Sequence, residues 1–232
     1  MKNDRKLPIS MTGTQLWLGL IYLIAMLFAL PGLLTFANSL LLVPLSAAWI
    51  NFIFFLLNFI CILLIFHRFL WQSLGYSLQV PGLCLFSALR GYIGYYLGTF
   101  VVGLFIMWVE PSFVNVNDMS IAATTQDNFR VMAVGTVLLV PLVEELLYRG
   151  TIFGALHGKS RLAAYCVSTV VFSLVHVIGY IGTYEWKVLA LCFLQYVPAG
   201  LCLGWAYERS GSIFAPILIH TTVNAMGIFV MR

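Results

Sequence analysis

The sequence has 232 residues, of which 62% are hydrophobic and only 9% are Asp, Glu, Lys or Arg, with a formal net charge of +4. A soluble domain carries roughly 25% charged residues, so this chain has too few charges to cover a water-facing surface. The composition excludes disordered, fibrous, nucleic-acid-binding and ordinary cytosolic proteins, and it predicts a polytopic protein of the lipid bilayer.

The first half of the chain is dominated by long uncharged stretches. No Asp, Glu, Lys or Arg occurs between Lys6 and Arg68. This stretch exceeds one membrane span, because a helix crosses the hydrocarbon core in about 20 residues. The mixed segment 67–81 predicts either an interfacial segment or a short additional span. The clear helices of this half are predicted near 14–37, 44–66 and 89–109.

The second half opens with the most polar part of the chain, residues 110–130. This segment contains Asp118, Asp127 and several Asn, Ser and Thr residues, and it therefore predicts a loop exposed to water. Four further helices are predicted near 130–157, 162–182, 188–207 and 213–231. The predicted fold class is an all-α polytopic transmembrane bundle of seven helices, or of eight if segment 67–81 forms a span.

The basic residues near the predicted helix ends indicate the orientation of the chain. Cytoplasmic loops are enriched in Lys and Arg, and a cytoplasmic N-terminus collects most of the basic residues on the cytoplasmic side. That side includes the N-terminal Lys2, Arg5 and Lys6. A compact chain with short loops and no visible targeting extension favours the plasma membrane of a bacterium.

Three charged residues, Glu144, Glu145 and Arg149, lie inside the otherwise apolar helix predicted near 130–157. Each costs about 2.5–3.5 kcal/mol at the centre of a membrane helix, so such residues are rare and mark functional sites. Glu145 and Arg149 are four residues apart on one helix face, where an ion pair makes both charges tolerable. Glu144 points about 100° away from Glu145 and has no helical partner of opposite sign. We predict that Glu144 faces a cavity as a general base or acid.

Two histidines and an asparagine are predicted at a similar depth. Glu144 and His176 each lie sixteen residues from the predicted turn at residue 160, so an antiparallel hairpin places them level with each other. His220 and Asn224 are four residues apart, on one face of the last predicted helix and near mid-bilayer. Each residue alone is typical of a helix–helix hydrogen bond. Four polar groups at one depth on three helices indicate a functional site.

Three short motifs follow one another in the second half of the chain: EExxxR from Glu144, FxxxH ending at His176, and HxxxN from His220. In these motifs and their order, the sequence resembles the CPBP family of intramembrane proteases. That family includes CAAX prenyl endopeptidases and bacteriocin-immunity (Abi) proteins. The resemblance divides the chain into N-terminal transmembrane helices without motifs (1–88) and a protease-like core (89–232).

The resemblance implies a role for each matching position. Glu144 would activate the hydrolytic water, assisted by His176. His220 and Asn224 would stabilise the oxyanion that forms when water attacks a peptide carbonyl. The chemistry is acyl transfer to water, with a general base and preorganised donors in a water-filled cavity.

The resemblance also implies that the Glu145–Arg149 pair holds this site together. A zinc ion is the alternative to a metal-free site, because Glu144, His176 and His220 could ligate zinc and leave one position open. Metal-independent activation of water is favoured, since asparagine is a poor zinc ligand and a natural oxyanion donor. No other cofactor is expected.

Two other functions stay open at this point. A proton-coupled transporter could use intramembrane Glu, His and Arg side chains as an ion relay, although such proteins usually contain paired repeats and none is visible here. A noncatalytic immunity protein could keep the motif residues as a packing network. For a protease, the expected substrate is a peptide or membrane protein reached from the lipid bilayer, with prenylated CAAX-like peptides included. No nucleic-acid partner is expected.

Overall fold

A computed structural model describes residues 7–231, and within them the chain forms eight helices and no β-strand. The predicted all-α fold class is confirmed. The basic residues Lys2, Arg5 and Lys6, on which the predicted orientation partly depends, lie outside the described residues. The helices are α1 Gly13–Ser39, α2 Ala47–Gln79, α3 Pro81–Val109, α4 Val116–Asp127, α5 Phe129–His157, α6 Arg161–Val175, α7 Trp186–Ser210 and α8 Phe214–Val230.

Five of the described helices, α1, α2, α3, α5 and α7, are long and apolar enough to cross a membrane. Helices α6 and α8 are also apolar but shorter, with 15 and 17 residues. Large apolar side chains such as Leu64, Phe100 and Trp108 point outward from the long helices, as expected for surfaces in contact with lipid. The chain is therefore an integral membrane helical bundle.

The segment 67–81 is neither an interfacial segment nor a separate span. It forms the last turns of α2, which ends at Gln79, and the start of α3, which begins at Pro81. Phe69 and Ser73 continue the buried stripe of α2 at helical spacing, while His67, Arg68 and Gln72 face outward. The mixed composition thus reflects one amphipathic helix. Proline is favourable at Pro81 because the first turn of a helix needs no bonded N–H.

The predicted loop 110–130 contains helix α4, so the loop prediction is wrong for most of this segment. The side chain of Asn115 caps the helix, because its Oδ1 accepts from the backbone N–H groups of Asn117 (2.9 Å) and Asp118 (3.3 Å). At the other end, the Asp127 carboxylate accepts from the backbone N–H of Ala48 at the start of α2 (3.1 Å). Helix α4 is therefore fixed to the bundle at both ends.

The predicted helix 162–182 is shorter than expected, because α6 ends at Val175 and the chain turns at His176. The turn between α5 and α6 is attached to the end of α7 through Glu208, whose side chain is 5% exposed. Its carboxylate accepts from His157 Nε2 (2.9 Å) and from the Tyr165 hydroxyl (2.7 Å). Glu208 is thus a buried connector of three helices, where the sequence predicts only a residue of a solvent-side turn.

Helix α5 lies at the centre of the bundle, and its backbone widens into π-helical turns at Gly135–Leu139 and Leu146–Phe153. Such wide turns inside α-helices are frequent at functional sites. The segment between them begins with Val140 and Pro141 and ends with the two glutamates. Proline lacks a backbone N–H and crowds the carbonyl group of the preceding turn, which accounts for the first widened turn.

Helices α6 and α7 approach each other most closely at Gly200. A Cβ atom at this position would lie 2.6 Å from Thr169 Cγ2 and 3.0 Å from Thr169 Cα, so only glycine fits against the α6 backbone. Small residues allow such close contact between membrane helices.

We expect Gly200→Ala to separate α6 from α7 and to lower the free energy of unfolding by about 1–3 kcal/mol, the usual cost of overpacking. Thermal unfolding of the purified protein in detergent measures the effect. Gly103→Ala is the matched control, since a Cβ at Gly103 meets no atom within 4 Å. Equal unfolding temperatures for the two variants would contradict the packing argument.

Candidate active site

A cavity of about 840 Å³ lies between the helices of the second half of the bundle, with α1, α2 and α3 closing part of its wall. Most of its lining is apolar. Four of the six predicted site residues contribute to this lining: Glu144, His176, His220 and Asn224. The structure therefore brings the polar groups of α5, α8 and the end of α6 around one space.

Glu145 and Arg149 lie behind the cavity wall and are fully buried. Arg149 Nη1 donates to Glu145 Oε1 (3.1 Å), so the ion pair predicted from the i,i+4 spacing is present. The guanidinium also donates to the Gly200 carbonyl (3.4 Å) and lies 4.4 Å above the ring of Phe172. Glu145 Oε1 accepts a second hydrogen bond from His220 Nδ1 (2.8 Å). The pair thus connects α5 to α6, α7 and α8.

The hydrogen bond to Glu145 determines which nitrogen of His220 faces the cavity. Nδ1 carries a proton when it donates to a carboxylate, so Nε2 is an acceptor in the neutral ring and a donor in the imidazolium. His220 Nε2 lies 4.0 Å from Glu144 Oε2. A donor role for His220 Nε2 toward an oxyanion therefore requires the protonated ring.

Glu144 differs from Glu145 in the partners of its carboxylate. Its side chain is 18% exposed to the cavity, and within the described part of the chain its buried Oε2 accepts no hydrogen bond. Buried carboxylate oxygens normally have a partner, and exceptions occur where the group has chemistry to perform. The sequence predicts that Glu144 lacks a helical partner, and in the structure its Oε2 accepts no hydrogen bond from any described residue.

His176 is held at the end of α6 with one nitrogen free. Its Nδ1 lies 2.7 Å from the carbonyl oxygen of Phe172, one turn earlier, and donates to it. The imidazole lies between the rings of Phe172 (4.7 Å) and Tyr196 (4.1 Å). The neutral ring therefore presents the lone pair of Nε2.

Asn224 is positioned by the widened turn of α5. In that turn the Val140 N–H donates to the Gly135 carbonyl, and the next residue, Pro141, has no N–H to offer to Thr136. The Thr136 carbonyl instead accepts from Asn224 Nδ2 (2.9 Å). One N–H of the carboxamide orients the side chain, and the second N–H is left for a ligand.

Several polar residues of the cavity wall are absent from the sequence prediction, among them Asn117 and Asp118 on α4 and Tyr196 on α7. The sequence places Asp118 in a water-exposed loop, and the structure corrects this. Burial raises the pKa of Asp118, while the hydrogen bond from Tyr196 and the nearby His176 act in the opposite direction. An Asn followed three residues later by an acid is a helix-start pattern, and it could have indicated α4.

The zinc alternative does not fit this arrangement. Among residues 7–231, no three His, Cys, Asp or Glu side chains converge closely enough to hold a metal ion. The proposed set of Glu144, His176 and His220 is therefore not a ligand cluster here.

A buried ion pair, a free carboxylate and two oriented imidazoles around a membrane cavity are typical of an intramembrane enzyme site. Residues 126–226 match the family model described as "Type II CAAX prenyl endopeptidase Rce1-like", and this segment contains all six predicted site residues. The resemblance inferred from the three motifs is thereby confirmed. This segment, less than half of the chain, is thus similar to the Rce1-like CAAX prenyl endopeptidase family.

Two curated relatives each match part of the chain. The UPF0177 protein YxdF of Lactococcus lactis is 31% identical over 90 residues, which cover 39% of this chain and 44% of that protein. The protein named "Putative membrane peptidase YdiL" of Bacillus subtilis is 31% identical over 94 residues, which cover 40% of this chain and 34% of that protein. The alignments thus span less than half the length of these relatives. No solved structure gives a significant match.

Proposed function

We propose that this protein is an intramembrane endopeptidase that hydrolyses a peptide bond with a water molecule activated by Glu144. The observation that carries the proposal is the Glu144 carboxylate, which faces the cavity and whose Oε2 accepts no hydrogen bond from any described residue. Around it, each polar group has one atom used for orientation and another left for a ligand. The family match and the printed name of the Bacillus subtilis relative support the same reaction class.

In the proposed reaction, a water molecule forms hydrogen bonds to both Glu144 Oε2 and His220 Nε2, which lie 4.0 Å apart. Glu144 takes a proton from this water. The hydroxide equivalent attacks the peptide carbonyl carbon, and the π electrons move to the oxygen. The resulting oxyanion accepts from the protonated Nε2 of His220 and from the second N–H of Asn224. The C–N bond then breaks, and the amine leaves with the proton that Glu144 received.

His176 assists Glu144 in this scheme through its free Nε2. Both groups line the cavity, and the hydrogen bond to Phe172 keeps the imidazole in one tautomer. Glu145 contributes from behind the wall, because its contact with Nδ1 orients the His220 ring. Arg149 balances the Glu145 charge, so that the buried site carries no isolated charge.

The proposed substrates are peptides or membrane proteins that enter from the bilayer, and prenylated peptides belong to this class. The cavity is mostly apolar, and it has room for apolar side chains or a lipid chain beside the polar centre. We place the protein in a bacterial plasma membrane with its N-terminus in the cytoplasm. Purified protein in detergent, incubated with a diverse peptide library that includes prenylated members, is expected to produce internal cleavage. Absence of any cleavage would contradict the proposed protease function.

We expect the cleavage activity to survive removal of metal ions. The proposed steps use side-chain groups only, and the residues of a zinc alternative do not converge on one point. Protein treated with a strong chelator and passed into metal-free buffer should keep at least about 80% of its rate, because none of the proposed acid, base and oxyanion groups depends on a metal. Metal content is measured on the same sample. Stoichiometric zinc whose removal abolishes cleavage and whose return restores it would contradict this expectation.

A further inference from the structure

We propose that Tyr196 is a positioning residue for His176, held in place by Asn117 and Asp118 of α4, and that Asp118 acts on the His176 ring through this tyrosine. The part of this inference that concerns catalysis rests on the proposed function. The part that concerns the histidine itself does not. Asn117 and Asp118 lie outside the segment that matches the family, so the family pattern assigns them no role.

The contact between Tyr196 and His176 fixes the plane of the imidazole. The two ring centroids are 4.1 Å apart and the planes are inclined by only 25°, which is a stacked arrangement. The hydrogen bond from Nδ1 to Phe172 alone leaves the ring free to swing about that bond. The flat face of Tyr196 removes this freedom on one side, and the Phe172 ring limits it on the other. Together they determine where Nε2 points.

The hydroxyl of Tyr196 is itself held by two side chains of α4. It accepts a hydrogen bond from Asn117 Nδ2 (2.9 Å) and donates one to Asp118 Oδ1 (3.2 Å). A parallel contact joins Asn115 Nδ2 to Gln195 Oε1, again at 2.9 Å. The first turn of α4 is thus attached to α7 at two adjacent residues. This attachment explains why a polar helix lies against the cavity.

Four groups surround the His176 ring and set its charge. Burial of the ring lowers the pKa of His176, while Glu144 of α5 and Asp118 of α4 act in the opposite direction and a protonated His220 of α8 lowers it further. Tyr196 of α7 stacks on the His176 ring, and its hydroxyl donates a hydrogen bond to Asp118. If Glu144 gives up its charge by taking a proton, Asp118 is the carboxylate that still favours a charged His176. The α4 contacts therefore support the histidine during the step in which Glu144 is protonated.

The experiment follows the reaction of His176 with diethyl pyrocarbonate, which modifies the neutral imidazole. The extent of modification at His176 is measured by peptide mass spectrometry between pH 5 and 9 for the folded protein in detergent. For Asp118→Asn we expect the midpoint of the pH profile to move about one unit lower, because a nearby anion that stabilises the imidazolium has been removed. Tyr196→Leu is expected to raise the modification rate several-fold, since the ring loses its stacking partner.

Cleavage kinetics give a second readout on the same variants. Tyr196→Leu is expected to lower kcat about tenfold with little change in KM, because a misdirected catalytic group affects the reaction more than binding. Tyr196→Phe keeps the stacked ring and should recover most of that rate. Tyr207→Phe is the matched control, since Tyr207 is a buried tyrosine of the same helix that does not line the cavity. Its unfolding temperature, pH profile and rate are expected to equal those of wild type.

The two readouts separate the inference from the proposed function. An unchanged His176 midpoint in Asp118→Asn, together with unchanged kcat in Tyr196→Leu, would overturn the positioning role. If the midpoint shifts but the protein cleaves no peptide, the contact from Asp118 through Tyr196 to His176 is supported and the proposed protease function is contradicted. If Tyr196→Leu does not fold, the comparison of Asp118→Asn with Tyr207→Phe decides the question, because Asp118→Asn keeps the size and shape of the side chain.

Discussion

Replacing Glu144 with glutamine is expected to lower the rate of peptide cleavage at least about 1,000-fold, within the range that general acid–base catalysis contributes. The carboxamide has the shape of the carboxylate but cannot take a proton from water. Since Glu144 Oε2 accepts no hydrogen bond from the described residues, the substitution breaks no protein contact at that atom. The unfolding temperature should therefore stay close to that of wild type, which separates a loss of chemistry from a loss of fold.

The matched control for this variant is Glu185→Gln. Glu185 is an exposed glutamate just before α7, and it does not line the cavity. The control variant should cleave peptides at the wild-type rate. Wild-type cleavage by Glu144→Gln would contradict the role of Glu144 as the base. If the protein protects cells against a bacteriocin and Glu144→Gln protects equally well, a noncatalytic immunity function would replace the enzyme.

The pairing of the charged residues in α5 could be predicted from the sequence, because charged residues are rare in a membrane helix and few partners are available. In an apolar helix, i,i+4 spacing is enough to pair Glu145 with Arg149 and to leave Glu144 without a helical partner. The structure contains both features. The catalytic roles of these residues stay predictions, since geometry alone does not test them. The pairing of His220 with Glu145 could not be predicted, because spacing within one helix says nothing about which neighbour a ring will reach.

Helix α4 was missed for a different reason. Its mean composition is polar, and a polar segment between apolar helices has the same pattern whether it is a loop in water or a helix docked on the bundle. The docking depends on contacts far apart in sequence, such as that between Asn117 and Tyr196. The hydrogen bond of Asn224 could not be predicted either, because it depends on a carbonyl that a widened turn near Pro141 leaves without an amide donor. Tertiary contacts, and not local pattern, complete the cavity.

The Arg149→Met variant is expected to show the largest loss of stability in the chain, about 3–5 kcal/mol, because it leaves the fully buried Glu145 carboxylate without its cation. The double variant Glu145→Gln with Arg149→Met removes both charges and should recover most of this loss. A double-mutant cycle in detergent, with unfolding followed by circular dichroism, gives the coupling energy. The pair Glu110 and Lys187 is the matched control, since it is half exposed on the lysine side and should couple by less than about 1 kcal/mol.

Stability and activity should separate in the double variant. There the new carboxamide oxygen can still accept from His220 Nδ1, but a hydrogen bond to an uncharged acceptor is weaker and orients the ring less firmly. We therefore expect cleavage to stay at least about tenfold below wild type, since an oxyanion donor is weakened even where the fold is restored. A double variant with both wild-type stability and wild-type cleavage would mean that the Glu145–Arg149 pair only balances charge inside α5. A stable but inactive one would assign Glu145 to the orientation of His220.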